Sequence, residues 1–308
     1  ASDVTRALEN ELRRLGVSIR LNTRVQKLLL EGGRVAGVET ADGQTLRADS
    51  VILCTGGASY QSTGSTGDGY RLLAQCGHEV FPPLAALVGL CCEEAWVTEL
   101  QGLTLKNVRL TLKHGNKTLY TDIGEMLFTH FGVSGPLALS VSSYMAELDA
   151  RECAITLDLK PGLSEQQLDA RVLRDVGAAG RKELRTLLCG LYPARLEETM
   201  ERLCQLDGRK QANLLTREER GALVQTTKAL PLPVTALRPL AEAVVTRGGL
   251  DVRQVSPSTM ESKLVPGLYV SGELLDVDAL TGGFNLHIAF ATGFAAGRAA
   301  AQGRVMNE

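Results

Sequence analysis

The chain of 308 residues is 44% hydrophobic and 22% charged, an ordinary globular composition and long enough for more than one domain. Thirty-three basic side chains against 35 acidic ones leave a net charge of −2, which argues against a dedicated nucleic-acid surface. With no membrane-length apolar run, no signal peptide and an odd set of cysteines (Cys54, Cys76, Cys91, Cys92, Cys153, Cys189, Cys204) without CxxC or zinc spacing, a reduced, cytoplasmic, metal-free protein is expected. The vicinal pair Cys91-Cys92 reads as redox-active or, by the usual behaviour of cysteine, as small buried hydrophobes.

In chain order, Val4, Leu8, Leu12 and Leu15 at helical spacing predict a helix from Asp3 to Leu15, stopped by Gly16. Extended stretches follow over Val17–Leu21, Val25–Leu30 and Val35–Thr40, with turns at Glu31-Gly32-Gly33 and Ala41-Asp42-Gly43. Val51-Ile52-Leu53-Cys54 reads as a buried strand running into Thr55-Gly56-Gly57, where absent side chains let a ligand approach the backbone. The loop Thr63–Gly69 lacks the Lys-Ser/Thr ending of a P-loop; it reads as a turn with Asp68 as helix N-cap, or as a phosphate cradle. Pro82-Pro83 marks a boundary.

Beyond it, Gln101–Lys113 and Lys117–Tyr120 predict a hairpin around His114-Gly115-Asn116, then a helix over Leu137–Leu148 and a strand over Ala154–Leu159. From Ser164 to Leu230 the texture is helical, broken at Gly177, Gly190, Pro193 and Gly208. Strand character returns at Ala243–Thr246 and Leu268–Ser271, and Asn285–Ala301 predicts the last helix. Gly272-Glu273 ends the second buried strand, and Gly282-Gly283 opens that helix, whose first N–H groups lack intrahelical partners and attract an electron-rich group. Two glycine-lined strand ends are what a dinucleotide crevice requires.

Four stretches, Gly64–Tyr70, Leu127–Pro136, Gly272–Asp276 and Thr281–Leu286, resemble in order and over the whole length the BaiN/YhiN-type (aminoacetone oxidase-like) FAD-dependent oxidoreductases. The resemblance implies an α/β protein, α+β overall. A glutathione-reductase-like FAD-binding domain (1–84 and 241–308) would be interrupted by a β-barrel domain (85–162 and 230–240) and a helical insert (163–229). It implies cofactor contacts at Val25, Thr55, Gly56, Gly57, Gly272, Glu273, Gly283, Phe284, Asn285 and Leu286. The implied activity joins FAD with a small organic substrate and either NAD(P)H or oxygen; a bile-acid enone reductase and a small-amine oxidase are the family's candidates. Members open with a Gly-x-Gly-x-x-Gly unit that this chain lacks, so an incomplete FAD domain is expected. The strands Val51–Leu53 and Leu268–Val270 are then expected to expose an edge and an apolar face, favouring self-association or a homodimer.

Flavin carries the redox chemistry, so a dedicated acid is optional. His130 and His287 are the candidates for proton transfer, though for each a packing or hydrogen-bonding histidine is the favoured reading. Phe128, Phe131 and Phe284 read as pocket walls or as core. Two competing classes stand beside the oxidoreductase: a non-catalytic flavoprotein remnant acting as an interaction module, and an RNA-modifying flavoprotein. The latter predicts a basic stripe along Arg171, Arg174, Arg181, Lys182 and Arg185, where interspersed acids favour a solvated helical face.

Overall fold

A computed structural model of the chain describes residues 2–303. Helix α1 (Ser2–Arg14) is exposed along its whole length, including Val4, Leu8 and Leu12. A three-stranded antiparallel sheet follows, β1 (Val25–Glu31), β2 (Arg34–Thr40) and β3 (Thr45–Arg47), in that order. The β1–β2 turn pairs Glu31 with Arg34 around Gly32 and Gly33, whose φ of 59° and 81° meet the two positive values of a tight hairpin. Val17–Leu21, expected to be extended, forms no strand: no described segment pairs with it, and Leu21 is 79% exposed.

Strand β4 (Val51–Leu53) leads through the first glycine patch to α2 (Asp68–Gln75) and β5 (Val80–Ala86). Asp68 does not cap α2. Gly67, in the left-handed region at φ 78°, is the N-cap, and Asp68 lies in the first turn with a bidentate ion pair to Arg24 at 2.8 and 3.0 Å. That arginine and the local hydrogen bonds hold its carboxyl below the usual range. Pro82-Pro83 lies inside β5 rather than at an element boundary. It faces a register shift in β13 (Val245–Leu250), where Gly248 has φ 88° and a Cβ would meet Pro82 O at 2.3 Å. Proline is tolerated in a strand at such a bulge.

Strand β6 (Leu90–Cys92) and short helix α3 (Ala95–Glu99) precede a long hairpin, β7 (Thr104–His114) and β8 (Lys117–Thr129), then β9 (Gly132–Ser134), α4 (Pro136–Met145) and β10 (Cys153–Asp158). Proline at the first position of α4 fits a helix start, and Leu137, Ala138, Val141 and Met145 bury one side of it. Helices α5 (Glu165–Ala179), α6 (Leu184–Leu191), α7 (Ala194–Leu203) and α8 (Arg217–Lys228) come next. Capping boxes at Ser164/Gln167 and Thr216/Glu219 start α5 and α8. Strands β11 (Leu230–Leu232) and β12 (Val234–Leu237) return the chain to the sheet.

The large sheet runs β11-β10-β7-β8-β9-β6-β12. Its edge strands β11 and β12 are separated in sequence by Pro233 alone, so the sheet bends until its two ends are neighbours. One continuous core, including Leu90, Leu110, Phe128, Leu157, Leu184 and Leu223, joins this sheet to α5–α8. A second core, including Leu28, Leu53, Leu73, Leu250, Leu268 and Val270, gathers the outer segments.

At the centre of the second core, β4 pairs in parallel with β14 (Leu268–Val270), in register Leu268↔Val51, Tyr269↔Ile52 and Val270↔Leu53. Helix α9 (Gly282–Gln302) packs across both strands and the 272–274 turn. Its outer side is apolar and uncovered: Phe284, Leu286, Phe290 and Phe294 are 57–72% exposed. The expected strand exposure is therefore only partial, since β14 is buried throughout and β4 shows mainly Ile52. The exposed apolar surface falls on α9 instead. Among the described residues no helix is long and apolar enough to cross a membrane.

Candidate functional site: the glycine-lined ends of two parallel strands

The C-terminal ends of β4 and β14 bring Thr55-Gly56-Gly57 beside Ser271-Gly272-Glu273. One carboxylate ties the two turns together. Glu273 Oε2 accepts the Gly57 N–H at 3.2 Å, and Oε1 accepts the Thr246 N–H from β13 at 2.6 Å. Thr246 Oγ1 in turn accepts the N–H groups of Ala58 (2.8 Å) and Ser59 (3.0 Å). Tyr70 of α2 donates its hydroxyl to Glu273 O at 3.3 Å, and burial first, then Glu273 and Asp276, push that phenol well above its ordinary range. The N–H groups of Gly57, Ala58, Ser59, Ser271 and Gly272 thus have acceptors, which removes the cost of burying them.

The glycines of the first turn are needed for packing. A Cβ on Gly57 would meet Thr246 Oγ1 at 2.3 Å, and one on Gly56 would meet Ser65 Oγ at 2.7 Å. The Gly64–Gly69 loop therefore packs on the first glycine patch, with Gly69 against Thr55 Oγ1. The buried Thr55 hydroxyl has no hydrogen-bond partner. Cys54 Sγ and Ser271 Oγ meet at 3.0 Å, where the two strands end.

The start of α9 behaves differently. Thr281 Oγ1 caps Phe284 N at 3.4 Å, and Asn285 folds back, its Nδ2 donating to the carbonyls of Ala279 (2.7 Å) and Thr281 (2.8 Å). Its Oδ1 accepts the Ala279 N–H at 3.1 Å. Asn285 therefore fixes the loop that enters the helix. Among the described residues the N–H groups of Gly282 and Gly283 have no acceptor, and a Cβ on Gly283 would meet nothing nearer than 4.0 Å. Open space over unsatisfied donors at a helix N-terminus is a seat for an electron-rich group.

The residues singled out in the sequence divide accordingly. Gly56, Gly57, Gly272 and Glu273 come together at the strand ends, while Gly283, Phe284, Asn285 and Leu286 form the opening of α9. Val25 stands at the beginning of β1, opposite Thr40 and next to the Arg24–Asp68 pair. His130 is exposed in the turn between β8 and β9, edge-on to Phe131 at 5.1 Å. His287 is exposed on α9, and no contact joins the two histidines among the described residues. Phe128 is fully buried core, whereas Phe284 is 64% exposed. All seven cysteines are free, Cys92 is buried with its thiol pushed up to about 12, and the described residues form no metal-ligating group.

Thr246 and Arg247 were not legible beforehand, and Asp276 only as the end of the Gly272–Asp276 stretch. Arg247, next to Thr246, reaches Glu147 at 3.1 Å, Asp278 at 3.9 Å and Ser143 O at 2.7 Å. Asp276 lies between Glu273 and the start of α9. Burial raises its carboxyl above the usual range; Asp278 and Glu147 add to the rise, and the Gly248 N–H and Arg247 oppose it. The glycine pair Gly248-Gly249, at φ 88° and 121° just after Thr246, was the available signal.

A flavin dinucleotide fits part of this surface. The open N–H pair at α9 and the unpartnered Thr55 hydroxyl are unfilled polar positions. Glu273 and Asn285 fit less directly, because their polar atoms already serve the protein's own backbone.

The chain matches the family model of the HI0933-like protein Rossmann domain over residues 1–299. It is 33% identical over 304 residues to a 3-dehydro-bile acid delta(4,6)-reductase of Clostridium scindens, covering 98% of this chain and 74% of that protein. It is 29% identical over 297 residues to the ribosomal RNA dihydrouridine synthase of Escherichia coli, covering 96% of this chain and 71% of the relative. The enzyme of the same description from Haemophilus influenzae is 29% identical over 299 residues, with 96% and 71% covered.

Proposed function

The chain belongs to the HI0933-like family of Rossmann-type, FAD-binding oxidoreductases, and from that premise we propose that it reduces a carbon–carbon double bond conjugated to a carbonyl. The delta(4,6) double bonds of a 3-dehydro-bile acid are conjugated to its ketone, and a dihydrouridine synthase saturates the uracil double bond conjugated to a ring carbonyl. Different substrates are thus joined by one reaction: hydride to the β-carbon and a proton to the α-carbon. Bound FAD would supply the hydride, and NAD(P)H is the donor we assign to recharge it. Among the reactions implied by the family resemblance, amine oxidation is the one these names do not support.

The observation that carries this reading is the parallel β4–β14 pair with its glycine-lined ends, together with the two free N–H groups at the start of the helix that packs on both strands. Gly282 and Gly283 would hold the electron-rich pyrimidine edge of the cofactor, and the helix dipole would stabilise negative charge there. Glu273 keeps the strand ends at their separation by holding Gly57 and Thr246. Asp276 lies in the segment that leads from the strand end to this opening, and its raised affinity for a proton suits it to donate one to the α-carbon. We replace His130 and His287 with Asp276 in that role. The bent sheet and α5–α8 we assign to a barrel domain and a helical insert with the boundaries expected above.

A steroid-like small molecule is favoured over RNA. Several basic residues of the helical insert are committed, Arg185 to Glu201 (2.9 Å) and Glu197 (3.5 Å), Arg220 to Asp169 (2.6 Å), Arg171 to Asp175 (3.5 Å) and Lys210 to Glu219, while Arg174, Arg181 and Lys182 of the expected stripe make no ion pair among the described residues. Free cations on a continuous face would be needed to grip phosphates. The test is to reduce the FAD-loaded full-length protein anaerobically, then mix it with a 4-en-3-one steroid or with a uridine-containing RNA. Rapid flavin reoxidation with the steroid supports this reading, reoxidation with RNA alone reverses the substrate choice, and reoxidation with neither overturns it.

A further inference from the structure

Between the large sheet and the helical insert lies a cavity of about 290 Å³, at the small end of the range for ligand pockets. Its walls include Leu105 and Val108 of β7 and Leu191 and Leu196 of α6 and α7, with Lys106 and Lys160 bringing positive charge. These apolar residues are almost fully buried, so they line the floor of a formed recess rather than an open surface.

Lys160 is the unusual member. It is half-buried just beyond the end of β10, and among the described residues no carboxylate or hydroxyl engages its ammonium group. The nearest acid in sequence, Asp158, is already committed. It accepts Lys228 Nζ at 2.6 Å and the Lys160 backbone N–H at 2.9 Å, with Arg109 at 3.6 Å. Lys106 pairs only loosely, 3.9 Å from Glu125. Burial, with the added charge of Arg171, lowers the affinity of Lys160 for its proton. An uncompensated half-buried cation is costly and is relieved by an anion.

We propose that this cavity binds a small amphipathic carboxylate, its apolar body on Leu105, Val108, Leu191 and Leu196 and its carboxylate on Lys160. The charge complementarity selects an anion, and the walls select an apolar chain. A carboxylate on an ammonium group forms a charge-assisted hydrogen bond, stronger than a neutral one. The site is distinct from the β4–β14 crevice and does not depend on flavin.

The probe is octanoate, with 1-octanol as its neutral counterpart, titrated into full-length protein while the methyl signals of Leu191 and Leu196 are followed by NMR. Octanoate is expected to shift both signals saturably and to bind better than octanol. Lys160→Met should weaken octanoate about tenfold or more and leave octanol unchanged. Thr104→Trp, placed at the exposed rim, should weaken both ligands. Thermal melts of each variant separate loss of binding from loss of fold. The proposal is overturned if octanoate shifts neither signal, binds Lys160→Met as well as wild type, or is matched by octanol.

Discussion

The Glu273 carboxylate and the Gly57 N–H, 216 residues apart in sequence, meet at 3.2 Å and hold the ends of two parallel strands together. The other oxygen of Glu273 takes the Thr246 N–H, so one side chain satisfies buried donors on two elements.

Removing that carboxylate strands both donors. Glu273→Ala is expected to lower stability by about 2–4 kcal/mol, read from urea denaturation, because each unpaired buried donor carries a desolvation penalty. Glu273→Gln, which turns an N–H toward one of them, should recover only part of the loss. A change smaller than about 0.5 kcal/mol would show that the clasp is dispensable.

His78 couples stability to pH. Its Nδ1 lies 3.2 Å from the Leu73 carbonyl and so donates, while Nε2 accepts the Ser262 hydroxyl at 2.7 Å. Ser262 Oγ also accepts the N–H groups of Leu264 and Val265. This arrangement needs a neutral ring, and burial holds the imidazole below the ordinary histidine range. A group whose folded pKa is lowered contributes stability above its unfolded value and loses it as pH falls toward the folded one. The melting temperature should therefore drop between about pH 7 and about pH 5, and His78→Gln should flatten that drop. An equal drop in both proteins would remove His78 from the account.

Asp276 should set a limb of the pH–rate profile. As the proton donor it must be protonated, so turnover is expected to fall as pH rises through its raised pKa. Asp276→Asn should lower the rate about 10²–10⁴-fold and abolish that limb. If the variant keeps the limb, another group delivers the proton.

The uncovered side of α9 predicts association. Phe290 and Phe294 are 57% and 72% exposed, more apolar surface than a lone helix face ordinarily shows to water. Chain of residues 1–308 should self-associate in sedimentation experiments, and Phe290→Glu with Phe294→Glu should render it monodisperse without lowering its melting temperature. Unchanged association would place the contact elsewhere.

Local signals carried most of the fold into the sequence reading. Gly32-Gly33, Ser164 with Gln167, and the alternation along Thr104–His114 act within a few residues, so hairpin, helix start and strand were legible. The errors arose where distant partners decide. Val17–Leu21 has strand-like residues but no partner strand among the described residues, and Pro82-Pro83 is accommodated by the Gly248 bulge, 165 residues away. The site followed the same division. Its glycines and Glu273 stood out by motif, but Thr246 and Asp276 matter only because β13 and the 272–276 turn meet in space. Glycines also look alike in sequence while doing different work: Gly57 leaves room for Thr246, whereas Gly283 faces open space.

That last difference gives the most direct test of the central claim, that a dinucleotide flavin lies across the strand ends with its electron-rich edge on the start of α9. The measurement is FAD affinity, by fluorescence titration of full-length wild type and Gly283→Val, with thermal melts alongside. A Cβ at position 283 would meet nothing nearer than 4.0 Å beyond its chain neighbours and its own helix backbone, so the melting temperature should be nearly unchanged. FAD affinity should fall about tenfold or more as the valine covers the free N–H groups. Equal affinity in the two proteins, at equal stability, would contradict the account.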